Sequence, residues 1–498
     1  MNNLLNNLQD NTCYNIVNTL IKEGELLKKD LPYVYNLFID KRFSDFHTLK
    51  TELLFSIRKY RKLYNKKLFE LIFGKNLQIL EVDPVRVYFP VIKDKKAYLS
   101  EAYIFILDNP TQLLTFPNTQ EEIVENLKKI KLIVKKDFFV AFRSIPFSGS
   151  SFMLSIISAF FVKKEIIENF IFSGTVDENC KIERLKYLKI KKSLSKKYDK
   201  FFISAEQLKN ISEIKYLNSE TINLPFVQLF GKNINELRKN FEFLKSQLNE
   251  TDKVWLKILD LKEKDLSIFS ENFIKNDLKK WDSLLSQFYR KIKNLYSIHF
   301  KKINIHFLCS LSAFAFGMGV ILGAKRKLSI YHFQDGSIFK VYDFINNSPR
   351  AIKEKVKDFS IIEYRKILNN SDEAGIIIYL ASHNPGKLAQ DFICNDLKAN
   401  FIEISLKEKQ GNIPVKNSNL WINIVREIYT LINNIEEILQ NKIKKFHLIL
   451  SIPVPIAFCL GMCLGDYKNL NVYNYEKVKN CYTLVLSSEK TKFFKNFF

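Results

Sequence analysis

Two stretches decide the fold: KINIHFLCSLSAFAFGMGVILGAKRKLSIYHF at 302–333 and KKFHLILSIPVPIAFCLGMCLGDYKNLNVYNY at 444–475. Placing Ala315 and Phe316 on Ala457 and Phe458 also aligns Gly319 with Gly461, Gly323 with Gly465, Tyr331 with Tyr473 and Phe333 with Tyr475, at one constant offset. His306 and His447, and Ser310 and Ser451, match after a one-residue shift in the turn. The chain therefore carries an internal repeat. Each copy reads as a strand, a Ser-containing turn, a glycine-bearing apolar helix and a short aromatic strand. An upstream strand is expected before each copy, at Val254–Leu261 (VWLKILDL) and at Gly375–Leu380 (GIIIYL). Strands alternating with apolar helices imply parallel α/β units. Such sheets bind ligands at the carboxyl ends of their strands, where free N–H groups at helix N-termini favour phosphate.

The apolar runs Ile305–Ala324 and Phe446–Gly465 are each about as long as a bilayer span. Their early His and Ser or Pro residues fit a buried strand, a polar turn and a buried helix better than one continuous span. No membrane span is expected. The opening MNNLLNNLQDN lacks the basic and apolar regions of a secretory signal.

The chain has 498 residues, with 77 Lys plus Arg against 53 Asp plus Glu, a formal charge of +24. Hydrophobic residues at 47% and only 14 Gly and 12 Pro exclude disordered and collagen-like classes. The charge points to an anionic ligand, although heavy Lys, Asn, Ile and Phe usage also follows from an AT-rich coding bias. Seven cysteines without a C-x-x-C or a His at ligand spacing indicate neither a disulfide framework nor a metal site, and suggest a reducing, cytoplasmic compartment. Cys459 and Cys463 share a helical face and are expected to be core residues.

Around the repeat, the residues expected to surround one cleft are Ser310, Ser312, the Ser451-Ile-Pro453 turn, and the polar turn with Ser382, His383 and Lys387. Lys325 and Arg326 are candidates for phosphate pairing, and Trp421 for base stacking or core packing. Two lobes of this kind resemble the SAVED sensor of bacterial antiviral systems, itself similar to paired CARF domains. The resemblance covers about 250–498, with lobes near 250–345 and 372–498. It implies a cyclic oligonucleotide ligand and no need for DNA or RNA.

Residues 76–245 are organised differently: strands at Val85–Val91 and Ala102–Leu107, a helix from Glu121 to Lys131, then KKDFFVAFRSIPFSGSSFMLSIISAFF. A strand runs through Ser148-Gly149-Ser150-Ser151 into an apolar helix, a turn whose serines also suit helix capping. The later KYLKIKKSLSKKYDKFFIS contains lysines set between hydrophobic positions: Lys192 follows Leu188 by four and Leu185 by seven, and Lys191 follows Leu188 by three. An amine pressed on apolar surface loses hydration, its pKa falls, and it then accepts a proton from a serine hydroxyl. That is the chemistry of a Ser-Lys hydrolase.

This region resembles the proteolytic domain of Lon. The serine motif of that family corresponds to PFSGSSF, its T-G-E-I segment to Ser173-Gly174-Thr175-Val176, and its hydrophobic strand and tail to FFISAEQ and LPFVQLFGKNINEL. The resemblance makes Ser151 the nucleophile and Lys192 the base, with Lys191 as second choice. The sequence departs at Ser150 and Phe152, which replace Pro and Ala, and at Ser148, where an acidic residue is common. No G-x-x-x-x-G-K-[ST] loop is present, so an unfolding motor has no basis in the sequence. Residues 1–75 read as a helical region.

The fold class expected is mixed α/β: a helical region (1–75), a Lon-like domain (76–245) and a SAVED sensor of two fused Rossmann-like lobes (250–498). Together these resemble CRISPR-associated Lon proteases that carry a SAVED domain. That resemblance implies activation by cyclic oligoadenylate, the tetra-adenylate favoured, with no other cofactor. It also implies ligand-induced self-association and cleavage of a protein encoded nearby, such as an anti-sigma-like regulator. Two other classes fit the sequence: a binding module on an inactive Lon-like scaffold, and a basic nucleic-acid-binding protein.

Overall fold

A computed structural model describes residues 46–59, 77–183, 186–272, 274–408, 411, 413–465, 467–477 and 479–495. Of the helical region expected at 1–75, residues 1–45 and 60–75 lie outside the described residues; His47–Lys59 form a helix (α1). The chain divides into two units, residues up to Ser219 with Lys257–Asp260, and Glu220–Leu256 with Leu261 onward.

The first unit is built on β1 (Val85–Lys93), β2 (Lys96–Leu107), α2 (Glu121–Val134), β3 (Asp137–Arg143), α3 (Met153–Ser158), β4 (Phe170–Phe172), α4 (Leu188–Tyr198) and β5 (Phe201–Ile203). Its sheet runs β3-β2-β1-β4-β5. β1, β2 and β3 are antiparallel, and β4 joins β1 and β5 in parallel. Phe138 to Phe142 of β3 are all buried, as their unbroken apolar run requires when both faces are covered. Helix α1 is tied to β3 by the Thr51 hydroxyl, which donates to the Phe142 carbonyl at 2.6 Å.

The second unit holds two sheets. One orders as β10-β9-β8-β6-β7, from β6 (Thr221–Phe230), β7 (Ser267–Ser270), β8 (Lys302–Cys309), β9 (Leu328–Gln334) and β10 (Ser337–Asp343). The other orders as β11-β13-β12-β14-β15-β16, from β11 (Ile362–Ile367), β12 (Glu373–Tyr379), β13 (Asn400–Leu406), β14 (Lys445–Ser451), β15 (Leu470–Glu476) and β16 (Cys481–Ser487). In each, the inner pairs are parallel and an antiparallel strand forms an edge. Six helices matter for packing: α5 (Ile234–Ser246), α6 (Glu250–Ile258), α7 (Leu278–Tyr296), α8 (Ser312–Leu322), α9 (Ser418–Asn433) and α10 (Val454–Leu464).

The repeat folds as the sequence implies, with β8-α8-β9-β10 matching β14-α10-β15-β16. Both apolar runs break into strand, turn and an 11-residue helix. Among the described residues, no helix is long and apolar enough to cross a membrane. Every residue from Ala313 to Leu322 and from Pro455 to Leu464 is buried, because each helix is covered all round. They cross at their glycines: a Cβ on Gly319 would fall on the carbonyl oxygen of Phe458, and one on Gly461 on that of Phe316. Cys459 and Cys463 are free, buried thiols of α10, and Cys463 Sγ donates to the Ile352 carbonyl at 3.4 Å. The repeat extends to paired side chains: His306 Nδ1 lies 3.1 Å from the Tyr331 hydroxyl, and His447 Nδ1 2.9 Å from that of Tyr473.

Two expectations need correction. Val254–Leu261 is not a strand: Glu250–Ile258 form α6, with acidic residues in its first turn. Its apolar positions suit one helical face as well as a short strand, and length alone does not separate the two. The strand beside β8 is instead β6, in register from Thr221↔Lys302 to Gln228↔Cys309. The segment LPFVQLF, matched above to the tail of the protease region, therefore belongs to the sensor sheet, and the units divide at Ser219/Glu220 rather than near 245–250.

The glycine crossing generates a prediction. Gly319→Ala or Gly461→Ala pushes a methyl group against backbone, which cannot rotate aside, and is expected to lower stability by about 1–3 kcal/mol in urea denaturation. A change within experimental error at both positions would show that the helices separate without cost.

Candidate functional site

β3 delivers the chain into a turn at 144–152 that Gly149 makes with φ +87°, a left-handed value that favours glycine. The turn ends in α3, whose six residues are all buried, so Ser151 stands at the mouth of a fixed element. Gly174 clamps it from the other side: its N–H donates to the Ser151 carbonyl at 2.8 Å, and its carbonyl accepts from the Leu154 N–H at 3.0 Å. A Cβ on Gly174 would stand 2.9 Å from Ile182 Cγ2, so the close approach needs glycine.

Ser150 and Ser151 are distinguished by their partners. Ser150 Oγ lies 2.7 Å from Thr175 Oγ1. The Ser151 hydroxyl has no hydrogen-bond partner among the described residues. Both line a cleft of about 600 Å³ with Phe89, Pro90, Val91, Ile92, Phe147, Ser148, Gly149, Phe152, Thr175, Lys186, Tyr187 and Lys191.

Lys191 shares this cleft with Ser151, and Lys192 does not line it. The buried residues of α4 are Lys191 and Leu194, three apart on one face. Leu194 packs on Tyr88, Ile171 and Phe202, which turns Lys191 inward beside them. Lys192 is rotated by about 100° on the helix. It points elsewhere, 3.0 Å from the Asp260 carboxylate and about one-third exposed. The resemblance to the protease motif favoured Lys192, with Lys191 second; the inward face is set by Leu194. Leu185 itself lies outside the described residues.

Lys191 is 6% exposed, and among the described residues no carboxylate pairs with it. Loss of hydration lowers its pKa from 10.5 to about 8. A hydroxyl with no internal partner and an amine held near neutrality thus line the same cavity. Ser and Lys in that relation can pass a proton from oxygen to nitrogen.

In the second unit the expected ligand residues fall into two groups. Ser310, Ser382, His383 and Pro453 lie in turns beyond the carboxyl ends of the parallel strands β8, β12 and β14, and Ser312 and Lys387 in the first turns of the helices that follow β8 and β12. Hydrogen bonds join these turns: Ser312 Oγ donates to the Ile452 carbonyl at 2.7 Å, and Ser451 Oγ to the His383 carbonyl at 2.5 Å. Ser382, His383 and Lys387 are exposed.

Lys325, Arg326 and Trp421 are not part of this cluster. Lys325 and Arg326 follow the C-terminal end of α8, whereas Ser312 begins it. Eleven residues at 1.5 Å each separate the two ends. The Arg326 guanidinium lies over the Tyr296 ring at 4.4 Å. Trp421 is fully buried in α9, its Nε1–H donating to the Pro414 carbonyl at 3.0 Å and its ring packed by Tyr342 and His332. No base reaches it.

Gln228 was missed. It is 1% exposed on β6, and its Oε1 accepts from the N–H groups of Ser310 and Leu311 at 2.9 and 3.3 Å. Its Nε2 donates to Ser310 Oγ at 3.3 Å. The signal was a lone polar residue within LPFVQLF, a place where a buried amide must find partners.

Among the described residues no cluster of His, Cys, Asp and Glu fits a metal ion.

Residues 284–487 match the SAVED family, described as the SMODS-associated and fused to various effectors sensor domain. Among solved structures, the chain is similar to the Acinetobacter baumannii Cap4 SAVED/CARF-domain containing receptor with the cyclic trinucleotide 2'3'3'-cAAA. There identity is 15%, coverage 51% of this chain and 61% of that one, and TM-score 0.34. With 3'3'3'-cAAA bound, the same receptor matches at 13% identity over 89% of this chain and 98% of that one, TM-score 0.38. The Moraxella osloensis Cap4 receptor matches at 10% identity over 81% and 94%, TM-score 0.33. No curated protein matches.

The depressed pKa of Lys191 sets the sign of a pH effect. A folded-state value of about 8 against 10.5 unfolded penalises folding while the amine is charged. The penalty is complete below about pH 8 and fades as pH rises from there towards 10.5. Lys191→Met is therefore expected to raise the melting temperature at pH 7 and to lose that advantage by pH 10. An advantage unchanged between these pH values would mean that the amine is hydrated.

Proposed function

We propose that the chain is a ligand-controlled peptidase, in which a cyclic oligonucleotide bound by the second unit governs a Ser-Lys hydrolase in the first. The observation that carries the hydrolase reading is the lining of one cleft by the partnerless Ser151 hydroxyl and the buried, uncompensated amine of Lys191. The sensing reading rests on the match of 284–487 to a sensor family described as fused to various effectors. The turns and helix starts that carry Ser310, Ser312, Ser382, His383, Lys387 and Pro453 support it, since they stand where parallel sheets receive ligands. By resemblance the ligand is a cyclic oligoadenylate and the setting antiviral defence beside type III CRISPR loci. An anti-sigma-like protein is the substrate, and self-association the link between the units.

The chemistry follows from the cleft. Neutral Lys191 takes the proton of Ser151 as Oγ attacks a peptide carbonyl carbon. Backbone N–H groups of the turn around Gly149 receive the developing oxyanion. The ammonium of Lys191 returns its proton to the leaving amine, and the peptide C–N bond breaks. Water, deprotonated by the same amine, then hydrolyses the ester and restores Ser151. Because no nucleotide-driven motor motif is present, the substrate must offer an already extended segment.

The test is incubation of the full chain with cyclic tri-, tetra- and hexa-adenylate and with proteins encoded beside it, read by gel and mass spectrometry. The activating ring is expected to raise the melting temperature, by about 2.7 kcal/mol of added stability at a hundred times Kd. Ser151→Ala and Lys191→Ala are expected to lose roughly 10³-fold in cleavage rate, and Lys192→Ala to stay within about twofold. The rate should rise with pH through about 8 as Lys191 loses its proton. Ligand binding with no cleavage, and no effect of Ser151→Ala, would reduce the first unit to a scaffold.

A further inference from the structure

One wall of the cleft is a strand with an open edge. β1 is paired with β2 along its whole length, from Val85↔Ile104 to Lys93↔Lys96. On its other side it meets β4 at Tyr88↔Ile171 alone. Among the described residues, Phe89, Pro90, Val91 and Ile92 therefore have no strand on that side, and all four line the cleft. An extended backbone laid there would find main-chain groups to pair with. Pro90, which has no N–H, keeps this edge from being a general template for pairing.

The other wall is basic. The cleft lining contains Lys186 and Lys191 and no carboxylate. Between residues 186 and 198 the chain has six lysines and no acidic residue. Lys192 is paired with Asp260, and Lys191 is buried. Lys186, Lys189, Lys196 and Lys197 are exposed, and none has a carboxylate partner among the described residues. The nearby acids do not cancel them. The Asp177 carboxylate accepts from the Lys181 N–H at 2.7 Å, Asp199 caps the far end of α4, and Glu178 and Glu183, exposed on the Thr175 side, pair with no lysine among the described residues. Each exposed pair is weak, but a row of like charges beside a low-dielectric cleft selects ligands by sign and speeds their arrival.

We propose that the cleft takes an extended acidic segment of a protein, laid along the free edge of β1, with Lys186 at the mouth facing a carboxylate side chain of that segment. This rests on the reading of the cleft as a peptidase site and names its substrate class. A peptide fits better than a nucleic acid because the open edge offers main-chain groups for main-chain pairing, which a sugar-phosphate chain cannot supply.

The experiment uses the full-length Ser151→Ala chain, so that binding is read without turnover. Its probes are fluorescein-labelled unstructured peptides of equal length, one rich in Glu, one in Gln and one in Lys, together with oligothymidine. The Glu peptide is expected to bind roughly tenfold more tightly than the Lys peptide at low salt, with the preference shrinking at high salt. Lys186→Glu should remove most of it and Lys186→Gln about half. Lys357→Glu, the same charge change in the second unit, should leave it intact. Equal binding of Glu and Lys peptides overturns the proposal, as does oligothymidine binding that Lys186→Glu abolishes without any peptide preference. The same peptides are then given to the chain with Ser151 intact, in the presence of cyclic tri-, tetra- and hexa-adenylate. Acidic selection without hydrolysis upholds the inference and removes the peptidase reading; hydrolysis without charge selection does the reverse.

Discussion

The second unit depends on two helices meeting at bare backbone. α8 and α10 touch where Gly319 faces the Phe458 carbonyl and Gly461 faces that of Phe316, so each helix supplies the gap that the other fills. Past their first residues, both helices are buried along their whole length. Close packing of this kind does not deform continuously. The turns that begin α8 and α10 are consequently held together, and the Ser312 bond to the Ile452 carbonyl ties them directly. A ligand reaching those turns meets one surface rather than two independent lobes.

The first unit is governed by the opposite kind of constraint, an interaction left unmade. Burying an amine without a carboxylate costs stability, and the protein accepts the cost only where neighbouring packing forces it. Leu194 does so by fixing the face of α4 against Tyr88, Ile171 and Phe202. Two serines of the cleft differ in the same sense: Ser150 is satisfied by Thr175, whereas Ser151 has no partner among the described residues. A hydroxyl and an amine without internal partners are poorly explained by stability alone.

Much of this was legible in the sequence, and what was not has identifiable causes. The repeat was readable because glycine, aromatic and histidine positions recur together at nearly one offset, and the crossing glycines explain why they must. Ser151 could be singled out from the strand-turn-helix context of PFSGSSF. The choice between Lys191 and Lys192 was not readable, since adjacent helical residues differ by rotation and the deciding contact, Leu194 on the sheet, is tertiary. The assignment of β6 failed for the same reason. Nothing local says whether LPFVQLF closes one sheet or begins the next, and only its register with β8 decides it. Trp421, Lys325 and Arg326 carry suitable chemistry but stand inside the core or at the wrong end of a helix.

The joining of both repeats on one chain has an evolutionary reach of its own. In an assembly of two identical halves, any substitution appears twice and must suit both positions. Here a change is made once. Thus Ser310-Leu311-Ser312 on one side corresponds to Ser451-Ile452-Pro453 on the other, and the His447 imidazole has a Glu373 carboxylate at 2.7 Å, whereas among the described residues no carboxylate is bonded to His306. Such a fused pair can present two unlike faces across one seam, which perfect symmetry forbids.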